Sequence, residues 1–267
     1  MLTCGVDIGA RSIDIVLFDG AGIVASSVTD TGTFPTESVT MAFNDLLRIA
    51  RVTLSDVDKI VATGYGRNYF NGSDRVVSEI LCHAAGVSRL IPTVKTIIDI
   101  GGQDSKMIQL GENNKVIDFV MNDRCAAGTG KFIEMIAETL NIPLEEMGVA
   151  SLKTREACEI SSMCAVFAES EVIGLLHKGV SREVILRGVF RSIAKRILGM
   201  AGRLALKDDI VFTGGVALNS GVLDALRQES GKKDIKIPDN PQITGALGAA
   251  IIAARELEKN KTSCIHH

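Results

Sequence analysis

Two short stretches of the sequence combine an aspartate with a glycine in a pattern suited to phosphate. Asp7 and Gly9 follow one run of β-branched residues, and Asp99 and Gly101 follow another. Glycine lets the backbone approach a phosphate closely, turned backbone amides can hold the anion, and the carboxylate can bind hydrated Mg²⁺. We therefore predict two phosphate loops that together bind one nucleotide. The alternative is that each pair only forms a hairpin turn.

Two further glycine-containing stretches lie nearer the C-terminus. Gly214-Gly215-Val216 follows a short apolar run and precedes a helical pattern, which suits close approach of an adenosine. Residues 241–250 (PQITGALGAA) form a fourth candidate, although tight helix packing explains such small residues equally well. The P-loop pattern is absent, because residues 125–132 (CAAGTGKF) have Cys and Phe where that pattern needs its first glycine and its hydroxyl.

The elements that carry the two Asp-x-Gly stretches occur twice in the same order. Each stretch ends a strand and leads into a second strand, a turn and a third strand, which indicates an internal duplication. The alternating segments that follow are 13–18 and 22–28 in the first copy, and 106–110 and 115–120 in the second. The remaining predicted elements are helices 36–54, 78–90, 130–140, 164–178, 182–206, one ending at 228 and 244–258, with strands 59–62, 210–213 and one near 235.

The composition excludes several classes of protein. The 267 residues are 46% hydrophobic and carry a net charge of only -3, so no basic surface points to nucleic acid or anionic lipid. No stretch approaches the roughly 20 apolar residues of a spanning helix. Six cysteines are too few for a disulfide scaffold. We expect a cytosolic protein with reduced thiols, no membrane contact and metabolite or protein partners.

Three longer motifs resemble one known family closely. They are residues 98–104 (IDIGGQD), 122–130 (NDRCAAGTG) and 166–172 (VFAESEV). Together with the duplicated phosphate loops they resemble the activators of 2-hydroxyacyl-CoA dehydratases and the ATP-binding subunits of benzoyl-CoA reductase. These proteins form one branch of the actin, Hsp70 and sugar-kinase superfamily, and the likeness extends from Gly5 to Ala254.

The resemblance implies an α/β class with a duplicated actin-like (ribonuclease H-like) fold, in which two lobes surround a nucleotide cleft. We expect residues 1–94 and the C-terminal helix, about 244–260, to form the first lobe. Residues 95–243 would form the second lobe and contain the cysteines that bind a cluster.

The resemblance also assigns roles to individual residues. Asp7 and Asp99 would arrange the hydrated Mg²⁺ of ATP, and Gln103 or Asp104 would position the attacking water. The nucleotide contacts would come from the phosphate loops, the glycine pair and two polar side chains. These residues are Gly9, Ala10, Arg11, Ser12, Gly101, Gly102, Gln103, Asp104, Gly214, Gly215, Val216, Asn219 and Gln242.

A shared iron–sulfur cluster is the second implication of the family. Its members hold one 4Fe-4S cluster per homodimer, and the matching cysteines here are Cys125 and Cys164. Both precede helical patterns, whose N-terminal amides favour an anionic cluster. We do not expect cluster ligands in Cys4, which lies in the first strand, Cys82, which lies in a helix, or Cys264, which lies in the C-terminal tail. A cluster within one chain that uses Cys82 or Cys158 is the alternative.

The implied activity is one-electron transfer driven by ATP hydrolysis, from a ferredoxin or flavodoxin to a partner enzyme that contains its own cluster. Two departures leave that partner open. Asp14 stands where the activators usually have a lysine, so Arg11 would have to supply the charge, and Met163 replaces a common threonine. A hydroxyacyl-CoA dehydratase, a benzoyl-CoA reductase and a cluster protein without a CoA substrate all fit.

Two other functions compete with this interpretation. A small-molecule kinase of the same fold would need an acceptor pocket with an aspartate base, and the sequence contains no motif for one. A nucleotide-gated chaperone-like or regulatory module would bind no iron.

Overall fold

The computed structural model describes residues 1–161, 164–202, 204 and 206–264. The chain divides into two compact units. The first contains residues 1–94, 110–116 and 238–267, and the second contains residues 95–109 and 117–237. Residues 110–116 and 238–243, which the sequence analysis places in the second lobe, belong to the first unit in this division. Within the described residues, no helix combines the length and the apolar content that a membrane span needs.

The first unit is built on a five-stranded mixed sheet with the order β3-β2-β1-β4-β5. β1 lies antiparallel to β2 and parallel to β4. The strands are β1 (Thr3–Ile8), β2 (Ser12–Phe18), β3 (Ile23–Asp30), β4 (Lys59–Thr63) and β5 (Arg75–Val76), and the helices are α1 (Pro35–Ala50), α2 (Glu79–Leu90) and the C-terminal α8 (Thr244–Cys264).

The second sheet repeats this arrangement, with the order β10-β9-β6-β7-β8. β6 lies antiparallel to β7 and parallel to β9, as β1 does to β2 and β4. The strands are β6 (Thr96–Ile100), β7 (Ser105–Leu110), β8 (Val116–Asn122), β9 (Ile210–Thr213) and β10 (Ile235–Lys236), and the helices are α3 (Gly130–Leu140), α4 (Met147–Ser151), α5 (Ala165–His177), α6 (Arg182–Ala201) and α7 (Ser220–Ser230). The duplication predicted from the sequence is confirmed.

The small residues of α8 allow it to pack very closely on the first sheet and on α2. A side chain at Gly5 in β1 would overlap the carbonyl of Ala246, and one at Gly248 would overlap the carbonyl of Cys82. Gly86 is pressed in the same way against Thr244. The structure therefore shows tight helix packing at residues 244–248, which is the alternative given for this stretch in the sequence analysis.

Helix α6 anchors the core of the second unit. Its buried residues include Ile185, Val189, Ile193 and Ile197, which recur four positions apart along one face and are at most 1% exposed. Burial of each such side chain contributes roughly 1.5–3 kcal/mol relative to leaving it exposed. The helix is thus a fixed support for the loops that contact it.

Candidate nucleotide and cluster sites

Asp7 is the second-last residue of β1, and its carboxylate lies directly against two glycines. A Cβ at Gly64 would overlap one carboxylate oxygen of Asp7, and a Cβ at Gly245 would overlap the other. Gly64 also has a φ of +87°, which disfavours any other residue. The carboxylate is buried and is held from two sides, at the end of β4 and at the start of α8.

The residues after Asp7 form a tight loop. The Gly9 amide donates to the Ser12 carbonyl at 2.8 Å. Thr31 anchors this loop, since its hydroxyl donates to the Gly9 carbonyl at 2.8 Å and its amide donates to the Arg11 carbonyl at 3.0 Å. Gly9, Ala10 and Ser12 are half-buried and the Arg11 side chain is exposed. These residues form the turn of the hairpin that joins β1 to β2, which is the alternative given for this stretch. Phosphate binding by this loop stays a prediction.

Asp14, the departure noted in the sequence, lies directly opposite Asp7 in the pairing of β2 with β1. Its side chain is buried and accepts a hydrogen bond from the Ser12 hydroxyl at 3.0 Å. The first copy therefore places two carboxylates at neighbouring positions of one sheet.

Asp99 ends the equivalent strand of the second copy and has a different set of neighbours. The Thr213 hydroxyl donates to its Oδ1 at 2.9 Å, and the Lys106 ammonium lies 3.2 Å from its Oδ2. The same ammonium lies 2.8 Å from Asp104. Lys106 and Asp99 are each only 3% exposed, whereas Asp104 is 21% exposed at the edge of this three-residue ion cluster. Gln103, between the two aspartates, is exposed.

The duplication extends to residues that the sequence analysis missed. Asp7 pairs with Thr63 across β1 and β4, and Asp99 pairs with Thr213 across β6 and β9. Each threonine precedes a glycine of positive φ, Gly64 or Gly214. The repeated Thr-Gly after an apolar strand was the available signal. By the same register, Lys106 occupies in the second copy the place of Asp14 in the first.

The glycine pair after β9 forms the third predicted loop. A side chain at Gly214 would overlap the Ile100 carbonyl, which places this loop against the end of β6. A short 3₁₀ helix, Gly215–Leu218, follows, and its Val216 is buried. Asn219 caps α7, because its Oδ1 accepts from the amides of Gly221 and Val222 at 3.0 and 3.2 Å. Gln242 is half-buried just before α8.

The loop after β6, which the sequence predicts to bind phosphate, is hydrogen-bonded to the start of α3. The Gly130 amide donates to the Gly101 carbonyl at 2.9 Å, and the Lys131 amide donates to the Gly102 carbonyl at 2.8 Å. These are amides that a helix N-terminus leaves without partners inside the helix. These two hydrogen bonds join the backbone of Gly101 and Gly102 directly to the first turn of α3.

Cys125 lies in the loop before α3, and side chains fix the backbone on both sides of it. The Asn122 amide group donates to the Cys125 carbonyl at 2.8 Å, and the Thr129 hydroxyl donates to the Ala126 carbonyl at 2.6 Å. Gly128 has a φ of +90°. The Cys125 side chain is half-buried, so its sulfur is available to a ligand or a partner.

Cys164 occupies the N-cap position of α5 and is exposed. The segment before it is fastened to α5, because Glu171 accepts hydrogen bonds from the amide of Ser161 at 3.0 and 3.1 Å and from its hydroxyl at 3.0 Å. Met163 lies outside the described residues. A further hydrogen bond, from the Thr139 hydroxyl to Glu169 at 3.3 Å, joins α3 to α5.

The other described thiols have environments that suit a structural role. Cys4 and Cys82 are fully buried, and burial raises the pKa of each to about 12. Cys158 is half-buried against Gly188, and partial burial raises its pKa as well. The side chain of Cys264 lies outside the described residues. Among the residues described, no group of three or more His, Cys, Asp or Glu side chains could hold a metal ion.

The donor set fits a cluster that two chains share. Cys125 lies in the loop before α3 and Cys164 is the N-cap residue of α5, and solvent or a second chain can reach both thiols. A 4Fe-4S cluster takes four thiolates, and one chain offers two in such places. A two-fold symmetric pair of chains would supply the same two from each side.

The duplicated mixed sheets, with an aspartate loop at the end of each first strand, define an actin-like fold of two lobes. The chain belongs to the BadF/BadG/BcrA/BcrD ATPase family, whose model matches residues 4–253. These findings confirm the fold class and the family that the sequence motifs predicted.

Three relatives illustrate the likeness. The activator of lactoyl-CoA dehydratase from Anaerotignum propionicum is 45% identical over 97% of this chain and 100% of its own. The (R)-2-hydroxyglutaryl-CoA dehydratase activating ATPase from Acidaminococcus fermentans is 42% identical over 96% and 98%. The activator of the 2-hydroxyisocaproyl-CoA dehydratase from Clostridium difficile with bound ADPNP superposes with a TM-score of 0.92, at 40% identity and 98% coverage of both chains.

Proposed function

We propose that this protein hydrolyses ATP to drive one electron at low potential into a 2-hydroxyacyl-CoA dehydratase. The observation that carries the proposal is the pair of hydrogen bonds that joins Gly101 and Gly102 to Gly130 and Lys131, because it connects a phosphate loop directly to the helix behind Cys125. The names of the relatives, which are dehydratase activators, support the choice of acceptor.

The nucleotide-binding part of the proposal rests on the duplicated loops. Asp7 and Asp99 arrange the hydrated Mg²⁺, and Gln103 or Asp104 orients the attacking water. Phosphoryl transfer to water needs mainly positioning and neutralisation of charge. The glycine loop at residues 214–216 is proposed to receive the adenosine, and nucleotide contacts from Asn219 and Gln242 are part of the same prediction.

The cluster-binding part rests on Cys125 and Cys164 of two identical chains. A bound 4Fe-4S cluster supplies a one-electron carrier whose potential depends on hydrogen bonds and solvent exposure. Helix α5, which begins after Cys164, has Val166 and Phe167 exposed to 64% and 68%. Such large apolar side chains next to the thiol favour an interface between two copies of the chain.

Coupling follows from the way the elements are fastened together. When the phosphate loop changes shape on hydrolysis, the hydrogen bonds to Gly130 and Lys131 move α3 and the Cys125 loop. The Thr139–Glu169 hydrogen bond passes the movement to α5. This movement would alter the solvent exposure of Cys125 and Cys164, and a cluster held by them would supply the electron that the dehydratase accepts. A ferredoxin or flavodoxin restores it in the cytosol, where thiols stay reduced.

Purification without oxygen tests the cluster and its ligands. After reconstitution we expect iron and acid-labile sulfide in the wild-type protein and in Cys158→Ser. Cys125→Ser and Cys164→Ser should each lose the cluster while keeping the wild-type circular dichroism spectrum. An iron-free wild-type protein would disprove the cluster. Loss of iron in Cys158→Ser alone would overturn the choice of ligands.

A second assay tests the acceptor. A purified 2-hydroxyacyl-CoA dehydratase should become active only when this protein, ATP and a low-potential reductant are all present. Asp99→Asn should abolish ATP hydrolysis and activation together. Activation that proceeds without ATP would contradict the proposed coupling.

A further inference from the structure

Arg196 on α6 extends to the sulfur of Cys125. Its Nη2 lies 3.3 Å from the Cys125 Sγ, within hydrogen-bonding distance for sulfur. The two residues are far apart in the sequence and meet only because the loop after β8 folds back onto α6. No motif in the sequence points to this contact.

The arginine is held firmly in this position. Its neighbours on the helix, Ile193, Ala194 and Ile197, are all at most 1% exposed, so this part of α6 cannot shift easily. On the other side the backbone of the loop rests on the arginine stem. A Cβ at Gly128 would lie 3.1 Å from the Arg196 Cδ, and Gly128 has a φ of +90°. The glycine allows both the turn and the close contact.

The chemistry of the guanidinium group gives this contact a consequence. Arginine remains charged at all pH values that proteins tolerate and is more weakly hydrated than lysine. A hydrogen bond from a charged donor to an anionic acceptor is roughly twice as strong as a neutral one. Net charge and hydrogen bonds to the sulfurs set the reduction potential of an iron–sulfur cluster. A fixed cation beside a ligand sulfur stabilises the form that carries one more electron.

We propose that Arg196 is a positioning residue that donates a hydrogen bond to the Cys125 sulfur and thereby raises the reduction potential of the cluster. This inference rests on the proposed function, since it assumes that Cys125 is a cluster ligand. Arg196 itself is not a ligand, so its removal changes the potential without removing a bond to iron. It eases reduction of the cluster by the electron donor.

Three variants test the role of Arg196. Arg196→Met removes the charge and the donors but keeps most of the apolar stem, and Arg196→Lys keeps the charge without the planar fork. Lys195→Met is the matched control, because it removes an equal charge from the exposed neighbouring position of the same helix. For each reconstituted protein we would measure iron per chain and the midpoint potential, by redox titration followed by electron paramagnetic resonance.

We expect Arg196→Met to shift the equilibrium roughly tenfold toward the oxidised cluster, which is a fall of about 59 mV in the midpoint potential for one electron. The midpoint potential of Arg196→Lys should fall by less, and that of Lys195→Met should match the wild type. A loaded Arg196→Met protein with the wild-type potential would overturn the inference, as would an equal fall in Lys195→Met. If Arg196→Met binds no iron, Arg196→Lys decides, because an unchanged potential there also overturns it. An iron-free wild-type protein would instead disprove the proposed function.

Discussion

The Lys106 ammonium lies between two carboxylates of the second phosphate loop, 3.2 Å from Asp99 and 2.8 Å from Asp104. Replacing it with methionine leaves two carboxylates close together, of which Asp99 is only 3% exposed to screening solvent and Asp104 is 21% exposed. Removal of one partner from a buried ion pair costs on the order of 3 kcal/mol. We expect Lys106→Met to lower the urea concentration at the midpoint of unfolding, measured without nucleotide.

Lys131→Met is the matched control, since Lys131 is half-exposed and pairs at 3.4 Å with Glu134 on the surface of α3. Exposed pairs contribute about 0–1 kcal/mol, so this variant should unfold close to the wild type. Equal midpoints for the two variants would show that the Lys106 cluster does not stabilise the loop.

The buried thiols give a second prediction at the scale of single residues. Burial raises the pKa of Cys4 and Cys82 to about 12. At pH 8 only about one such thiol in ten thousand is a thiolate, the form that reacts with iodoacetamide. In the folded, metal-free protein we expect mass spectrometry to find Cys164 alkylated while Cys4 and Cys82 stay unmodified.

Unfolding in denaturant provides the internal control for this labelling, because it should expose both thiols and make them reactive. Labelling of Cys82 as fast as Cys164 at pH 8 would contradict the buried environment.

The sequence predicted the residues that lie in short motifs and missed those that meet across the fold. Asp7, Asp99 and the glycines beside them stand out because the motif occurs twice. Lys106 and Arg196 do not stand out in the sequence. Sheet pairing brings Lys106 to Asp99, and packing of the loop on α6 brings Arg196 to Cys125. Nucleotide roles for Asn219 and Gln242 remain predictions, and the structure shows Asn219 capping α7.

At the scale of elements, the start of α8 and the end of β1 depend on one another. Gly245 leaves no room for a side chain, because a Cβ there would overlap a carboxylate oxygen of Asp7 and lie 3.3 Å from the His83 ring. Gly245→Ala must push the Asp7 carboxylate aside. We expect ATP hydrolysis to fall at least tenfold and stability to fall by roughly 1–3 kcal/mol, the usual cost of overpacking.

Gly199→Ala is the control for this substitution, since a Cβ at Gly199 on α6 would meet no atom within 4 Å. Alanine is the better helix former by up to about 1 kcal/mol, so this variant should melt at or above the wild-type temperature. If Gly245→Ala hydrolyses ATP as fast as Gly199→Ala, moving the Asp7 carboxylate does not impair hydrolysis and the prediction is wrong.

Most element boundaries could be predicted, and the errors have local causes. The predictions for α3 (Gly130–Leu140) and β9 (Ile210–Thr213) are confirmed to the residue. Helix α1 was predicted to continue to residue 54 but ends at Ala50, because Arg51 takes a left-handed conformation and Val52 bonds back to Leu47. Helix α6 ends at Ala201, before Gly202 with a φ of +46°. Apolar periodicity alone does not reveal such caps.

At the scale of the whole molecule, the duplication has produced two unlike copies. The sheet order and the Thr-Gly pairs are the same, yet Asp14 stands where the second copy has Lys106. In the second copy the Lys106 ammonium on the neighbouring strand therefore neutralises Asp99, whereas in the first copy the carboxylate of Asp14 lies opposite Asp7. The repeat pattern predicted the common fold, whereas the difference in charge becomes meaningful only when the register places each side chain beside its aspartate.

The proposed assembly of two chains around one cluster can be tested by its mass and iron content. A four-iron cluster shared by two chains contains on the order of two iron atoms per chain. The loaded protein should therefore sediment at twice the 28.4 kDa mass of one chain. Phe167 is 68% exposed on the first turn after Cys164. A charge there would have to be buried at the interface, so Phe167→Glu should shift the protein toward monomers and lower its iron content.

Ile49→Glu is the matched control, because Ile49 is 70% exposed on α1, in the unit that lacks Cys125 and Cys164. Sedimentation velocity and iron analysis, both carried out without oxygen, should give the wild-type mass and iron content for Ile49→Glu. A loaded wild-type protein that sediments as a monomer would disprove the shared site. If Phe167→Glu keeps the wild-type mass and iron, the interface lies elsewhere than on the first turn of α5, and the exposed apolar residues there need another partner.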